Sequence, residues 1–220
     1  MMLPFVVHAQ LLKGAGVKIG VNSSNTRITY TRADLQDLKI GTGRRTGINI
    51  AGYAEWLTTP VFSIVTQVEY AQRGFSEEAV ITLPDNPEPV ATAEANSRLD
   101  YVSLPVLVKL RLPHANAGPY LILGPRMDFL VNRVAGEFDF SPYVNQLGSL
   151  VKESATSGWV DFFADRYLGG TAGVGFASAR LAGMLVQLEM RYNFDVADNA
   201  EIDLFEAKNR ALDLWLGVQF

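Results

Sequence analysis

Between Val186 and Asp195 this chain alternates strictly. Val186, Leu188, Met190, Tyr192 and Phe194 fall on one side of an extended strand, and Gln187, Glu189, Arg191, Asn193 and Asp195 fall on the other. Successive side chains of a strand face opposite sides of its sheet, so one face here is wholly apolar and the other polar and charged. Seven more segments carry the same period: Gly16–Ser23, Gly47–Leu57, Val61–Phe75, Arg98–Leu112, Tyr120–Asn132, Tyr167–Ala177 and Arg210–Phe220, with Met184–Asp195 completing the set. A soluble sheet buries the apolar face against a second layer. A transmembrane barrel turns it to lipid and encloses the polar face.

The order of the connections favours the second solution. Thr58–Pro60, Pro113–Gly118 and Ser178–Gly183 are short, whereas Ser24–Thr46, Ser76–Ser97, Arg133–Arg166 and Val196–Asn209 are long. Short and long links alternate along the chain. Outer-membrane barrels have short periplasmic turns and longer extracellular loops. The strands are of a length that crosses a bilayer when tilted, about ten residues. The expectation is an all-β protein: an eight-stranded antiparallel up-and-down transmembrane β-barrel, one domain over residues 10–220.

Composition agrees. Hydrophobic residues make up 48% and charged residues 19%, yet no apolar run reaches the ~18 residues of a spanning helix. The net charge of −4 gives no sign of the strongly basic character usual in nucleic-acid binding. There are no cysteines, which excludes disulfides, thiol chemistry and Cys-ligated metal. Leu3–Val7 followed by Val7-His8-Ala9 reads as the tail of an export signal, so residues 1–9 are expected to be a signal-peptide remnant.

Outward positions carry no charge in mid-strand. They include Val17, Ile19 and Val21; Val102, Leu104, Val106, Val108 and Leu110; and Leu212, Leu214, Leu216, Val218 and Phe220. Tyr70, Phe129, Tyr192 and Phe194 fall near the loop ends and Trp56, Phe62, Phe176 and Phe220 near the turn ends, the two aromatic belts of a membrane barrel. Inward, Lys18, Arg73, Lys109, Arg111, Arg126 and Arg191 stand against Glu55, Glu69, Asp128, Glu189, Asp195 and Asp213, six of each sign. An enclosed charge without a partner costs several kcal/mol, and eight strands leave room only for side chains. A lumen plugged by ion pairs follows, with Tyr53 and Trp215 adding bulk and Gly169, Gly173 and Gly175 leaving room for arginines. Phe220, at the end of an apolar ladder, is expected to act as a membrane-insertion signal.

Four stretches resemble the PorT-type outer-membrane β-barrel family: Gly16–Asn22, Glu69–Gly74, Leu99–Lys109 with its Leu-Pro-Val-Leu-Val-Lys, and Pro119–Pro125 with its Gly-Pro. The resemblance implies an eight-stranded outer-membrane barrel and little about activity. In that pattern Pro105 and Pro125 recur within strands, where bulges would accommodate them.

The chemistry of catalysis is thin. His8 lies in the signal remnant and His114 in a periplasmic turn, away from Ser23, Ser24 and Ser149–Ser157. Asp161 with Asp165, or Asp195 with Asp198 and Asp203, are carboxylates suited at most to weak Ca²⁺ binding. No cofactor motif is present. The reading is therefore a non-enzymatic barrel whose partners are outer-membrane lipid, the barrel-insertion machinery, and an extracellular or envelope component met through residues 76–97 and 133–166. A lipocalin-like carrier of a small apolar ligand, a narrow channel and a lipid-modifying membrane enzyme are the alternatives.

Overall fold

The computed structural model describes residues 12–30, 42–57, 59, 61–83, 86–112, 118–140, 154–178, 182–197 and 205–220. The signal-remnant reading of residues 1–9, the His114 turn and a short helix suggested over Tyr143–Val151 all fall outside them. Eight long strands form the barrel: β1 Leu12–Tyr30, β2 Thr42–Trp56, β3 Phe62–Leu83, β4 Asn86–Arg111, β5 Gly118–Val134, β8 Arg166–Ala177, β9 Leu185–Asp195 and β10 Phe205–Gln219. Between β5 and β8 lie a two-stranded ribbon, β6 Glu137–Asp139 and β7 Ser154–Thr156, and a short 3-10 helix, Trp159–Phe162. The ring order is β1-β10-β9-β8-β5-β4-β3-β2, closed by β1 on β2, and every neighbouring pair is antiparallel. Closure leaves no free sheet edge within the bilayer, where an unpaired backbone group has no water to bond.

The period-two pattern sorts as physics requires. Val17, Ile19, Val21, Ile48, Ile50, Leu123, Leu188, Leu214 and Leu216 are all exposed on the outer wall. Lys18, Asn22, Glu55, Arg73, Arg126, Glu189, Arg191 and Asp213 are buried within it. The lipocalin-like alternative required the opposite arrangement, and this outer wall rules it out.

Strand lengths differ from the expectation mainly on the extracellular side. Residues Ser76–Ser97, expected to be an irregular or hairpin-like loop because of Pro84, Pro87 and Pro89, are largely a regular hairpin that continues β3 and β4, with Phe75 opposite Ser97 and Ala79 opposite Ala93. Pro87 and Pro89 belong to β4, with register shifts on the facing strand around Thr82. There, β5 no longer pairs with β4, since that ladder ends at Arg98. The prolines occupy an edge with no second ladder to interrupt, which is where sheets tolerate them. Gly74 marks the departure point, with φ +141°. An L side chain rarely adopts that conformation, and glycine does so without steric cost.

Pro105 and Pro125 are not at bulges. The β4–β5 register runs unchanged from Pro105–Arg126 to Val108–Leu123, and pairing lapses between them; the β3–β4 ladder likewise omits Leu104 and Pro105. The missing donors coincide with gaps in the ladders, so no bulge is needed. The bulge of β4–β5 lies higher, between Asp100 and Tyr101.

Candidate functional site

The lumen is stacked in layers from the periplasmic end upward. At the bottom, Glu55 collects donors. Ser63 donates at 2.7 Å and Gln219 at 3.3 Å, Lys109 approaches to 3.4 Å and Lys13 to 3.7 Å, and Arg111 forms an ion pair with it. Arg111 is the least enclosed of the twelve charged residues expected inside, because it borders the turn and also donates to Thr59 O. Around this layer Tyr53, Val65, Leu107, Tyr120 and Ile122 make an apolar collar, with Val65 opposite Glu55 and Ile122 opposite Lys109.

The middle layer centres on Glu189. It accepts from Lys18 Nζ at 2.5 Å, from the Tyr120 hydroxyl at 2.6 Å and from Arg191 Nε at 2.7 Å. The cations are also stacked on rings: Lys18 lies 4.4 Å from the Tyr53 centroid, Lys109 4.2 Å from Tyr120 and Arg191 5.2 Å from Trp215. Cation–π contacts of this kind strengthen when water is excluded. Gln67 accepts from Arg191 at 2.8 Å.

In the upper layer Asp128 is held by Arg73 at 3.1 Å, by Arg126 Nε at 2.7 Å and by the Ser103 hydroxyl. Arg126 continues to Asp195 at 3.1 Å, and Asp195 accepts the backbone N–H of Asn209 at 2.5 Å. Glu69 links the layers, 3.7 Å from Arg73 and 3.9 Å from Arg191. Asp213 accepts from Asn193 at 2.6 Å, and Asn193 in turn accepts from Thr171 at 2.7 Å. Of the three glycines expected to admit arginines, Gly169 faces the Arg126 guanidinium and Gly173 the stem of Arg191, whereas Gly175 faces the Tyr120 ring. That third expectation is corrected: the space serves an aromatic.

The extracellular mouth is apolar. Ile28, Phe75, Leu99, Tyr101, Tyr167 and Ala207 of the wall enclose Val160 and Phe163, which come from the segment before β8. Phe163 lies 5.9 Å from Phe75, and Tyr101 meets Tyr167 edge-on at 5.5 Å. Leu130 N–H donates to Asp165 O at 2.8 Å, and Arg133 donates to Phe163 O at 2.8 Å and pairs with Asp165 at 2.7 Å. The expectation of an ionic interior thus missed both apolar layers. The signal was present: Val160 and Phe163 are three apart and share one side of a helical turn, while Asp161 and Phe162 between them are exposed. Asp165, considered above for Ca²⁺, is engaged with Arg133, and no cluster of three or more possible metal ligands occurs among the described residues.

Higher still, β6 and β7 lean on the β3–β4 hairpin. Ser97 Oγ accepts from Gly136 N–H at 3.1 Å, and Gly136 O accepts from Ser157 N–H at 2.8 Å. A Cβ on Gly136 would stand 2.6 Å from Asn96 N, so only glycine permits this approach. Glu77 is buried under this contact, beyond the apolar band. Burial raises its carboxyl above the ordinary value, and the neighbouring Ser157 hydroxyl acts in the opposite direction.

A closed cylinder of eight antiparallel strands, apolar outside and ionic inside, with short links at one end and long ones at the other, is a transmembrane β-barrel of the outer-membrane type. Residues 9–200 match the family of the outer membrane protein beta-barrel domain, and the chain belongs to that family. It is a protein of the bacterial outer membrane. Similar solved structures include the outer membrane protease OmpT of Escherichia coli (10% identity, 94% of this chain and 96% of that one, TM-score 0.48). Neisserial surface protein A is another (12%, 94% and 100%, 0.43), as is Ail, the attachment invasion locus protein of Yersinia pestis (12%, 94% and 98%, 0.42). No curated protein matches the sequence.

Proposed function

We propose that this protein is a non-catalytic outer-membrane scaffold: a barrel with a sealed, charged lumen that presents its extracellular hairpin and ribbon to a partner at the cell surface or in the envelope. The observation that carries the reading is the filling of the bore. Three ionic layers, an apolar collar and the inserted Val160–Phe163 segment lie within it. The twelve charged residues, Lys18, Glu55, Glu69, Arg73, Lys109, Arg111, Arg126, Asp128, Glu189, Arg191, Asp195 and Asp213, serve this purpose structurally, each holding opposite charge or hydrogen-bond donors. Cross-linking by ion pairs between distant strands stiffens the cylinder that displays the hairpin. Phe220, exposed on the outer wall, is the residue that insertion machinery engages. Within the wider family, the Leu99–Lys109 and Pro119–Pro125 stretches support a PorT-type kinship.

Planar-bilayer recording of the purified protein tests the seal. The expected trace is flat, and regular conductance steps above background defeat it in favour of a channel. Incubation with phospholipid vesicles tests the absence of catalysis, since acyl release that depends on the folded barrel would make the protein an enzyme. Surface proteolysis of intact cells should cut within 76–97 and 133–166 before any other site.

A further inference from the structure

Beyond the band of outward apolar residues, one sector of the wall is basic. On β1 the outward series Val17, Ile19, Val21 continues through Ser23 and Asn25 to Arg27. Arg27 stands opposite Lys208 of β10, and Asn25 opposite Arg210. On β2, Arg45 is the partner of Ser24, and Arg44 beside it pairs on the other ladder with Phe75 of β3. Asn25 is clamped to Thr42 by hydrogen bonds of 3.2 and 3.0 Å, which fixes the two strands at this point. Arg27, Arg44 and Arg210 are exposed and Lys208 is half-buried. Lys208 is paired with Glu206 at 3.4 Å.

Two features of this cluster point to an anion. Like charges directly opposite across antiparallel strands are destabilising, and Arg27 with Lys208 is such a pair. An anion bridging them converts the repulsion into two favourable contacts. The second feature is position. Arg210 lies two residues above Leu212 and Lys208 four above it; at about 3.3 Å per residue and a tilt of about 45°, those are heights of roughly 5 and 9 Å above the apolar band. The polar layer on each side of a ~30 Å hydrocarbon core is roughly 5–8 Å deep. The cations also extend sideways from the wall, on the face that carries Val21, Ile48, Leu212 and Leu214, and Phe194 flanks Arg210 across the ladder.

We propose that Arg27, Lys208 and Arg210 form a binding site for the phosphate groups of an outer-leaflet lipid headgroup, whose acyl chains lie on the apolar residues below. Lipid is the occupant because the cations share the lipid-facing surface and not the interior or the rim. Guanidinium groups suit the purpose, since each can grip a phosphate through two donors. The sector is one-sided: on the β3–β4 hairpin the outward positions carry Glu78 opposite Glu94.

The test uses the full-length protein in phosphatidylcholine vesicles containing about 10 mol% diphosphoryl lipid A, the anionic probe. After extraction, native mass spectrometry counts the retained lipids. The wild type should retain lipid A far above its proportion in the vesicle, and the enrichment should fall as salt rises. The triple variant R27Q/K208Q/R210Q, shown to be folded by its heat-modifiable mobility, should lose that enrichment by at least about tenfold, each cation contributing near the surface. R166Q, an outward arginine on β8, should leave it unchanged. Three outcomes overturn the proposal: no preference for lipid A in the wild type, salt-independent retention, or equal loss in R166Q. Tight binding of a soluble heparin-type polyanion without any lipid preference would assign the patch to an extracellular polymer and overturn it as well. Should the triple variant not fold, R27Q and R210Q singly carry the same comparison.

Discussion

Glu189 concentrates the physics of the lumen in one side chain. It is enclosed by two cations and a tyrosine hydroxyl, all within 2.7 Å or less. Removing one member of a buried pair leaves the other charge uncompensated, which costs more than the pair contributes. Glu189→Ala should therefore lower stability by about 3–5 kcal/mol, read as a shift in the urea midpoint followed by tryptophan fluorescence. Adding Lys18→Met should recover part of that loss, because one orphaned cation goes with it, and a double-mutant cycle measures the coupling. Strictly additive losses would mean that the two groups do not interact in the folded barrel. Gly175 makes a steric counterpart. A side chain there meets the Tyr120 ring, so Gly175→Val should cost about 1–3 kcal/mol through overpacking.

At the level of the strand, facing decides tolerance. Leu214 lies on the lipid side and Gln187 inside, where it donates to Gln219 at 3.1 Å. Leu214→Arg should cost about 2–4 kcal/mol near the midplane, and Gln187→Asn clearly less, both from equilibrium unfolding in vesicles. Equal costs would contradict the facing. The β6–β7 ribbon has a different sensitivity. A carboxyl whose folded-state pKa is raised contributes most below its unfolded pKa, and that contribution is lost as pH rises through the folded value. Burial raises Glu77, so the ribbon should dock most firmly on the acid side of the ordinary carboxylate range and loosen above it. Hydrogen exchange at the Ser157 amide reports this, and Glu77→Gln should remove the pH dependence. The strands crossing the apolar band were readable one at a time, since alternation is a property of neighbours in sequence. The continuation of β3 and β4 past Phe75 was not, because Pro84, Pro87 and Pro89 signal a break. Only the ladder shows that Pro87 and Pro89 sit where no second strand pairs.

For the molecule as a whole, the filling of the bore is distributed. Val160 and Phe163 pack in the mouth, and three ionic layers continue beneath them. Replacing both residues by serine should therefore leave bilayer conductance at background while exposing the upper layer to hydrogen exchange. Conductance in that variant would place the entire seal in the mouth. The same network ties distant strands together. Lys18 on the first strand holds Glu189 on the seventh of the barrel, and Arg126 on the fifth holds both Asp128 and Asp195.

Two kinds of information built this protein, and they differ in range. Period two, the apolar length of each segment and the alternation of short and long links are local. The chain alone therefore specified an even-stranded barrel, its orientation and which side chains face in, as Val186–Asp195 shows. Which enclosed charges meet is a matter of closure. Lys18 and Glu189 stand 171 positions apart, and no local pattern encodes that they share a layer. The same holds for the apolar mouth, where Val160 and Phe163 find Phe75 and Tyr101, and for the basic sector, where Arg27 meets Lys208 only because β1 pairs with β10. Such encounters depend on ring order and stagger, which exist only once the sheet has joined its own ends.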